Sequence, residues 1–204
     1  MNTRIIVDST ADLMPEFKSR VHTVPLTVNF GDEEYIDGVT INHKTFYEKL
    51  IESDVLPTTS QATPDAFIKE FEKAKKAGEA AVVITLASKF SGTYQSATIA
   101  ADDYENIYVV DSGSATMGSG ILVELAFKLL DEGKNAEEIA AILEEQKKKI
   151  TDNFPSTLVC DMELGAIAQT CYIKNRPFVS IKLISDNADN TATETYPEVL
   201  KTAS

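Results

Sequence analysis

The chain has 204 residues, enough for one ordinary domain, or one domain with a small lobe. Hydrophobic residues make up 43% and charged residues 25%, a globular balance that excludes disorder throughout. With 19 Lys+Arg against 32 Asp+Glu the formal charge is −13, so the chain lacks the basic footprint that nucleic acids and anionic membranes require.

No apolar run reaches the ~20 residues of a membrane span. Residues 1–8 (MNTRIIVD) carry no signal-peptide pattern. Two cysteines, Cys160 and Cys171, do not make a disulfide framework. A cytoplasmic protein with reduced thiols is expected.

In chain order, residues 4–7 (RIIV) are a β-branched run that reads as a buried strand ending in a turn at Asp8-Ser9-Thr10. A short helix is expected to begin within residues 11–17. Residues 21–30, rich in Val, Thr and Leu, read as a single second strand closed by a Gly31-Asp32 turn. Phe46, Tyr47, Leu50 and Ile51 stand at helical spacing. Residues 57–63 read as a polar loop. Thr63-Pro64-Asp65 is a helix start: Thr63 can cap, Pro64 fits the first helical position, and Asp65 favours the positive end of the dipole. That helix is predicted to stop near Gly78.

Residues 81–86 (AVVITL) are continuously apolar, as in an inner parallel strand. Residues 88–93 (SKFSGT) form a loop that enters a helix at about Tyr94. Residues 107–110 are a strand ended by Asp111-Ser112. Residues 113–120 (GSATMGSG) are small and polar, a backbone nest or a close-packed turn; an apolar helix over 121–130 and a further helix over 136–150 follow. Beyond Ile150 the character changes. Residues 157–184 read as a C-terminal βαβ-like piece, and the net charge divides into −10 before residue 151 and −3 after it.

This alternation predicts an α/β fold, a mostly parallel sheet with helices on both faces, spanning residues 1–150; residues 151–204 would complete or extend the sheet. Ligands of such sheets collect at the loops after the carboxyl ends of strands. Residues 8–11, 88–93 and 111–120 fall there, and residues 57–61 are expected to join them.

Those loops hold three hydroxyl clusters: Ser9-Thr10, Thr58-Thr59-Ser60-Gln61 and Ser91-Gly92-Thr93. A helix N-terminus offers unpaired N–H groups and partial positive charge, and hydroxyls add donors, which suits a carboxylate or phosphate. Ordinary capping is the competing explanation for each cluster. His22 and His43 are the only histidines, no Gly-x-Ser-x-Gly elbow is present, and no ligand spacing points to a metal. Residues 113–120 have neither a Walker nor a dinucleotide glycine pattern. No cofactor is implied. Asp8, Asp37 and Asp111 are candidates for orienting hydroxyls or capping turns.

Residues 4–13 (RIIVDSTADL), 24–30 (VPLTVNF), 35–39 (YIDGV), 57–61 (PTTSQ), 91–97 (SGTYQSA), 109–112 (VVDS) and 118–123 (GSGILV) resemble the DegV family in content and order. The resemblance covers about residues 3–150. It implies a fatty-acid-binding carrier, some members of which present the acyl chain to a fatty acid kinase. It also implies that Thr59 or Ser60, with Ser91, holds the carboxylate while Gly92 and Thr93 shape the loop. DegV proteins continue into a second lobe over the acyl chain, for which the sequence after Ile150 shows no counterpart.

Residues 161–168 (DMELGAIA), Cys171-Tyr172, 177–179 (PFV) and 184–189 (ISDNAD) resemble instead the end of the 5′-methylthioadenosine/S-adenosylhomocysteine nucleosidases. That resemblance implies ribose contacts at Met162 and Glu163 and catalytic roles for Glu163 and Asp186, within a nucleoside hydrolase. It supplies only half of such a site, without the water-activating base. A third expectation is a fused chimera without specific activity. A homodimer is one expected assembly, since such nucleosidases are dimers and an uncovered acyl groove would present an apolar patch.

Overall fold

In a computed structural model the chain is described over residues 2–153, with side chains through Lys147. The expected βαβ-like piece, Met162, Glu163, Asp186 and both cysteines lie outside the described residues. The elements are β1 (Thr3–Asp8), α1 (Pro15–Lys18), β2 (His22–Val24), β3 (Thr27–Phe30), β4 (Glu33–Ile36), α2 (His43–Glu52), β5 (Thr58–Ser60), α3 (Pro64–Ala77), β6 (Ala80–Thr85), α4 (Thr93–Ala101), β7 (Ile107–Asp111), α5 (Met117–Asp131) and α6 (Ala136–Asn153).

The apolar, β-branched runs make a parallel sheet in the order β2-β1-β6-β7. Every residue of β6 is buried, because helices cover both faces. Alternation along the strands sorts the side chains. Ile5, Val7, Val82, Ile84 and Val110 join Leu122, Val123, Ala126 and Phe127 of α5 and Ile139 and Leu143 of α6. On the other face Ile6, Ala81 and Val83 meet Phe67 and Phe71 of α3 and Ala97 and Ala100 of α4. The α/β fold with helices on both faces is the one expected.

The α3 signals act as predicted. Thr63 Oγ1 accepts the Ala66 N–H at 3.3 Å, and Gly78 ends the helix at φ +66°, the left-handed conformation that glycine adopts without a Cβ penalty.

A second sheet corrects the sequence reading. Residues 21–30 are not one strand. Pro25 separates β2 from β3, since proline has no N–H for a ladder, and β3 belongs to an antiparallel sheet of order β4-β3-β5. Within the expected polar loop at 57–63, Thr58–Ser60 form β5, paired with β3 through Thr27↔Ser60, Val28↔Thr59 and Asn29↔Thr58. The pattern of β5 is exposed throughout, so no alternation marks it; its partner β3, far back along the chain, creates it. Val28, Phe30 and Ile41 form the small core of this sheet, with Phe46 and Leu50 of α2 packed on it.

Two helix starts also differ. The first short helix begins only at Pro15, and α5 begins at Met117 rather than Ile121. The glycines of the 113–120 segment explain the second case. A Cβ at Gly120 would lie 2.2 Å from the Asp12 carbonyl oxygen, so the helix starts against the β1 loop only with glycine there.

Candidate functional site

The chain leaves β1 for β2 on one side and returns through β6 on the other. The loops after β1 and β6 therefore diverge at the point where strand order reverses, the crevice in which open α/β sheets bind ligands. Asp8, 1% exposed, ties the two loops together. Its Oδ2 accepts the Leu86 N–H at 2.6 Å. Its Oδ1 accepts the Thr10 N–H at 2.9 Å and the Thr10 hydroxyl at 2.5 Å. Burial pushes this carboxyl above its ordinary range, although the hydrogen bonds from Thr10 and Leu86 work against that. Asp8 thus orients a hydroxyl, one of the two roles its sequence position suggests.

Ser9 and Thr10 differ accordingly. The Thr10 proton is committed to Asp8. Ser9 Oγ accepts the Leu26 N–H at 3.1 Å, which fixes the start of the second sheet to the β1 loop and leaves the Ser9 proton without an acceptor among the described residues. Asp111 caps two turns, accepting from Ser88 N–H at 3.1 Å and Gly113 N–H at 2.9 Å. Burial raises its pKa, but these bonds and the nearby Lys147 outweigh burial and hold it below the ordinary value.

The second and third clusters meet at the start of α4. Ala62, just past β5, donates its N–H to Thr93 Oγ1 at 3.3 Å. Gln61 donates from Nε2 to Ser96 Oγ at 3.0 Å. The Gln61 side chain lies across Gly92: a Cβ there would stand 2.0 Å from Gln61 Oε1. The end of this flexible amide occupies the space a Cβ at position 92 would take. Ser91 Oγ and Thr93 Oγ1 are 2.9 Å apart, and the Thr93 N–H donates to Ser91 Oγ at 3.2 Å. Gly92, the residue before α4, has no side chain to cap the helix, and the N–H groups of Tyr94 and Gln95 have no acceptor among the described residues.

β5 therefore delivers Thr59 and Ser60 two residues and one residue before the segment bonded to α4. Ser60 Oγ also accepts from Asn29 Nδ2 at 3.1 Å, and both residues are exposed. The sequence places Gln61 in a hydroxyl cluster but gives no sign that it fills the space over Gly92, a contact made by tertiary packing.

An open cleft of about 610 Å³ lies on the other side of the β1 loop. Val7, Leu13, Val21, Pro25 and Val39 give it apolar walls, and Lys18, Asp37 and Lys44 contribute charge. Of the sequence-predicted residues Asp8, Ser9 and Asp37 line it; Thr10, Thr59, Ser60 and Ser91 do not. Among the described residues no group of three His, Cys, Asp or Glu side chains stands close enough to hold a metal, and no helix is long and apolar enough to cross a membrane.

Comparison with known proteins sets this geometry in a family. Residues 2–156 match the family described as "Uncharacterised protein, DegV family". A DegV domain-containing protein of Clostridium acetobutylicum is 44% identical over 141 residues, 67% of this chain and 50% of that protein. A solved fatty-acid-binding DegV family protein from Thermus thermophilus aligns with TM-score 0.65 and 33% identity, over 72% of this chain and 54% of that one. The fatty acid kinase B3 protein of Streptococcus pneumoniae, loaded with linoleic acid, aligns with TM-score 0.63 and 26% identity, over 72% of this chain and 55% of that one. The chain spans about half the length of the curated relatives it matches. Its fold, its hydroxyl-bearing loops and these likenesses agree: the chain belongs to the DegV family.

Proposed function

We propose that this domain binds the carboxylate of a long-chain fatty acid, as a carrier rather than a catalyst, with Thr59, Ser60 and Ser91 as its hydroxyl donors. The observation that carries the reading is the fastening of residues 61 and 62 to the first turn of α4. It draws the end of β5 toward Ser91 and toward two helix N–H groups that have no acceptor among the described residues. A carboxylate leaving water needs several such donors, and charge-assisted hydrogen bonds contribute about 1.5–3 kcal/mol each. The acyl tail would supply most of the affinity, at about 0.8 kcal/mol per buried methylene. The head-group site would then set orientation. The linoleic-acid-loaded kinase protein of Streptococcus pneumoniae supports a fatty acid kinase as the partner to which the bound acid is presented.

Mass spectrometry of an organic extract of the purified 204-residue chain tests the reading. A stoichiometric fatty acid is expected, and it should be absent from the Thr59→Ala/Ser91→Ala variant. A clean extract from the unaltered chain, together with no uptake of added fatty acid, would refute it.

A further inference from the structure

Burial decides the direction of the hydrogen bond between Ser91 and Thr93. The two hydroxyl oxygens are 2.9 Å apart and either has a proton to give. Two backbone groups constrain the choice: the Ala62 N–H donates to Thr93 Oγ1, and the Thr93 N–H donates to Ser91 Oγ. If Ser91 donated, Thr93 Oγ1 would accept twice, and its own proton would have no acceptor among the described residues. Thr93 is 0% exposed, so that proton would be buried and unpaired, a costly arrangement.

The opposite direction satisfies every group. Thr93 accepts from Ala62 and donates to Ser91. Ser91 Oγ then accepts twice, from the Thr93 hydroxyl and the Thr93 N–H, and both its lone pairs are filled. Its remaining capacity is one O–H donor, on a side chain that is only partly buried.

We propose that Thr93 is a positioning residue that makes Ser91 an obligate donor, so that the site selects an ionised carboxylate over an uncharged head group. The inference rests on the carboxylate-binding reading above and adds its head-group specificity. Ser91 O–H and the N–H groups of Tyr94 and Gln95 all donate, and an ionised carboxylate only accepts. An alcohol accepts more weakly and brings a proton that needs an acceptor of its own. Thr93 acts through Ser91, and the signal originates 31 residues away, at Ala62.

The test compares dodecanoic acid with dodecanol, binding to the full chain by calorimetry at neutral pH. The unaltered protein is expected to prefer the acid by at least about tenfold, the scale of one charge-assisted hydrogen bond. Thr93→Val keeps the side-chain shape and removes the hydroxyl. It should lose about tenfold in acid affinity while alcohol affinity changes by less than about twofold. Thr93→Ser restores the hydroxyl and should restore the preference. Where Thr93→Val does not fold, Thr93→Ala serves the same comparison. In a Ser91→Ala background Thr93→Ala should have no further effect on acid binding, because coupled residues are not additive.

A Thr93→Val protein that keeps the acid preference would overturn the proposal. So would equal losses for acid and alcohol, or a Thr93→Ser protein as impaired as Thr93→Val. No acid preference in the unaltered chain would overturn the carboxylate site itself and this inference with it, an outcome distinct from a normal preference that Thr93 does not control.

Discussion

The carboxylate of Asp8 accepts the backbone N–H of Leu86 at 2.6 Å, across 78 residues of sequence. It thereby closes the carboxyl ends of β1 and β6 at the point where strand order reverses. The same carboxylate holds Thr10, so one buried acid sets the geometry of the first loop and the start of the second. The second of these loops leads into Ser91.

Asp8 should make stability depend on pH in a particular direction. Burial raises its folded-state pKa above the ordinary 3.8, so in the window above 3.8 the folded state binds more protons than the unfolded state. Its contribution is fully present below that pH and is lost as pH rises through the raised folded value. Urea midpoints of the unaltered protein and Asp8→Asn, compared from acid to neutral pH, should show the advantage of the aspartic acid shrinking as pH rises. A difference that stays constant with pH would show that Asp8 titrates alike in both states.

Thr85 offers a stabilising substitution. The residue is 0% exposed and its Oγ1 has no hydrogen-bond partner among the described residues. Thr85→Val removes the stranded hydroxyl at nearly constant volume and should raise stability by about 1–2 kcal/mol. A lower urea midpoint would mean that the hydroxyl has an internal water as partner.

Gly92 and Gly120 should respond differently to alanine. At Gly92 the obstructing atoms belong to the end of the Gln61 side chain, which is exposed and can swing away, so Gly92→Ala should cost about 1 kcal/mol, one lost hydrogen bond. Removing the obstruction in Gln61→Ala/Gly92→Ala should add little to that. At Gly120 the obstruction is the Asp12 backbone, and overpacking should cost about 1–3 kcal/mol. Thermal unfolding of both single variants checks the ranking; equal losses would show that the two contacts yield alike.

Phe71 and Ile51 bracket the core. Phe71 is 0% exposed, between α3 and the sheet, and Phe71→Ala should cost about 3–5 kcal/mol. Ile51 is 84% exposed, and Ile51→Ala should change stability by less than about 0.5 kcal/mol. Chemical denaturation of the two variants checks both.

The sequence by itself determined the elements whose signals are local. The apolar runs at 4–7, 81–86 and 107–110 each needed only composition to be read as strands, and at 81–86 burial on both faces leaves no alternation to interpret. Thr63, Pro64 and Gly78 bounded α3, because capping and left-handed backbone are properties of single residues. The hydroxyl clusters were visible, and so was the place of Ser9-Thr10 and Ser91-Gly92-Thr93 after strands.

Tertiary structure decided what those clusters do. Nothing local marks Thr58–Ser60 as a strand; β3 supplies its hydrogen bonds, and Pro25 separates β3 from β2. Thr10 gives its proton to Asp8 only two residues away, but nothing local shows that Thr93, held by Ala62, leaves Ser91 its own proton. Nor does Gly92 show in sequence that Gln61 covers it. In each case the deciding partner lies far along the chain, Leu86 for Asp8 and Ala62 for Thr93. A hydroxyl carries the same donor and acceptors wherever it stands, and only the groups packed around it determine which of them remains for a ligand.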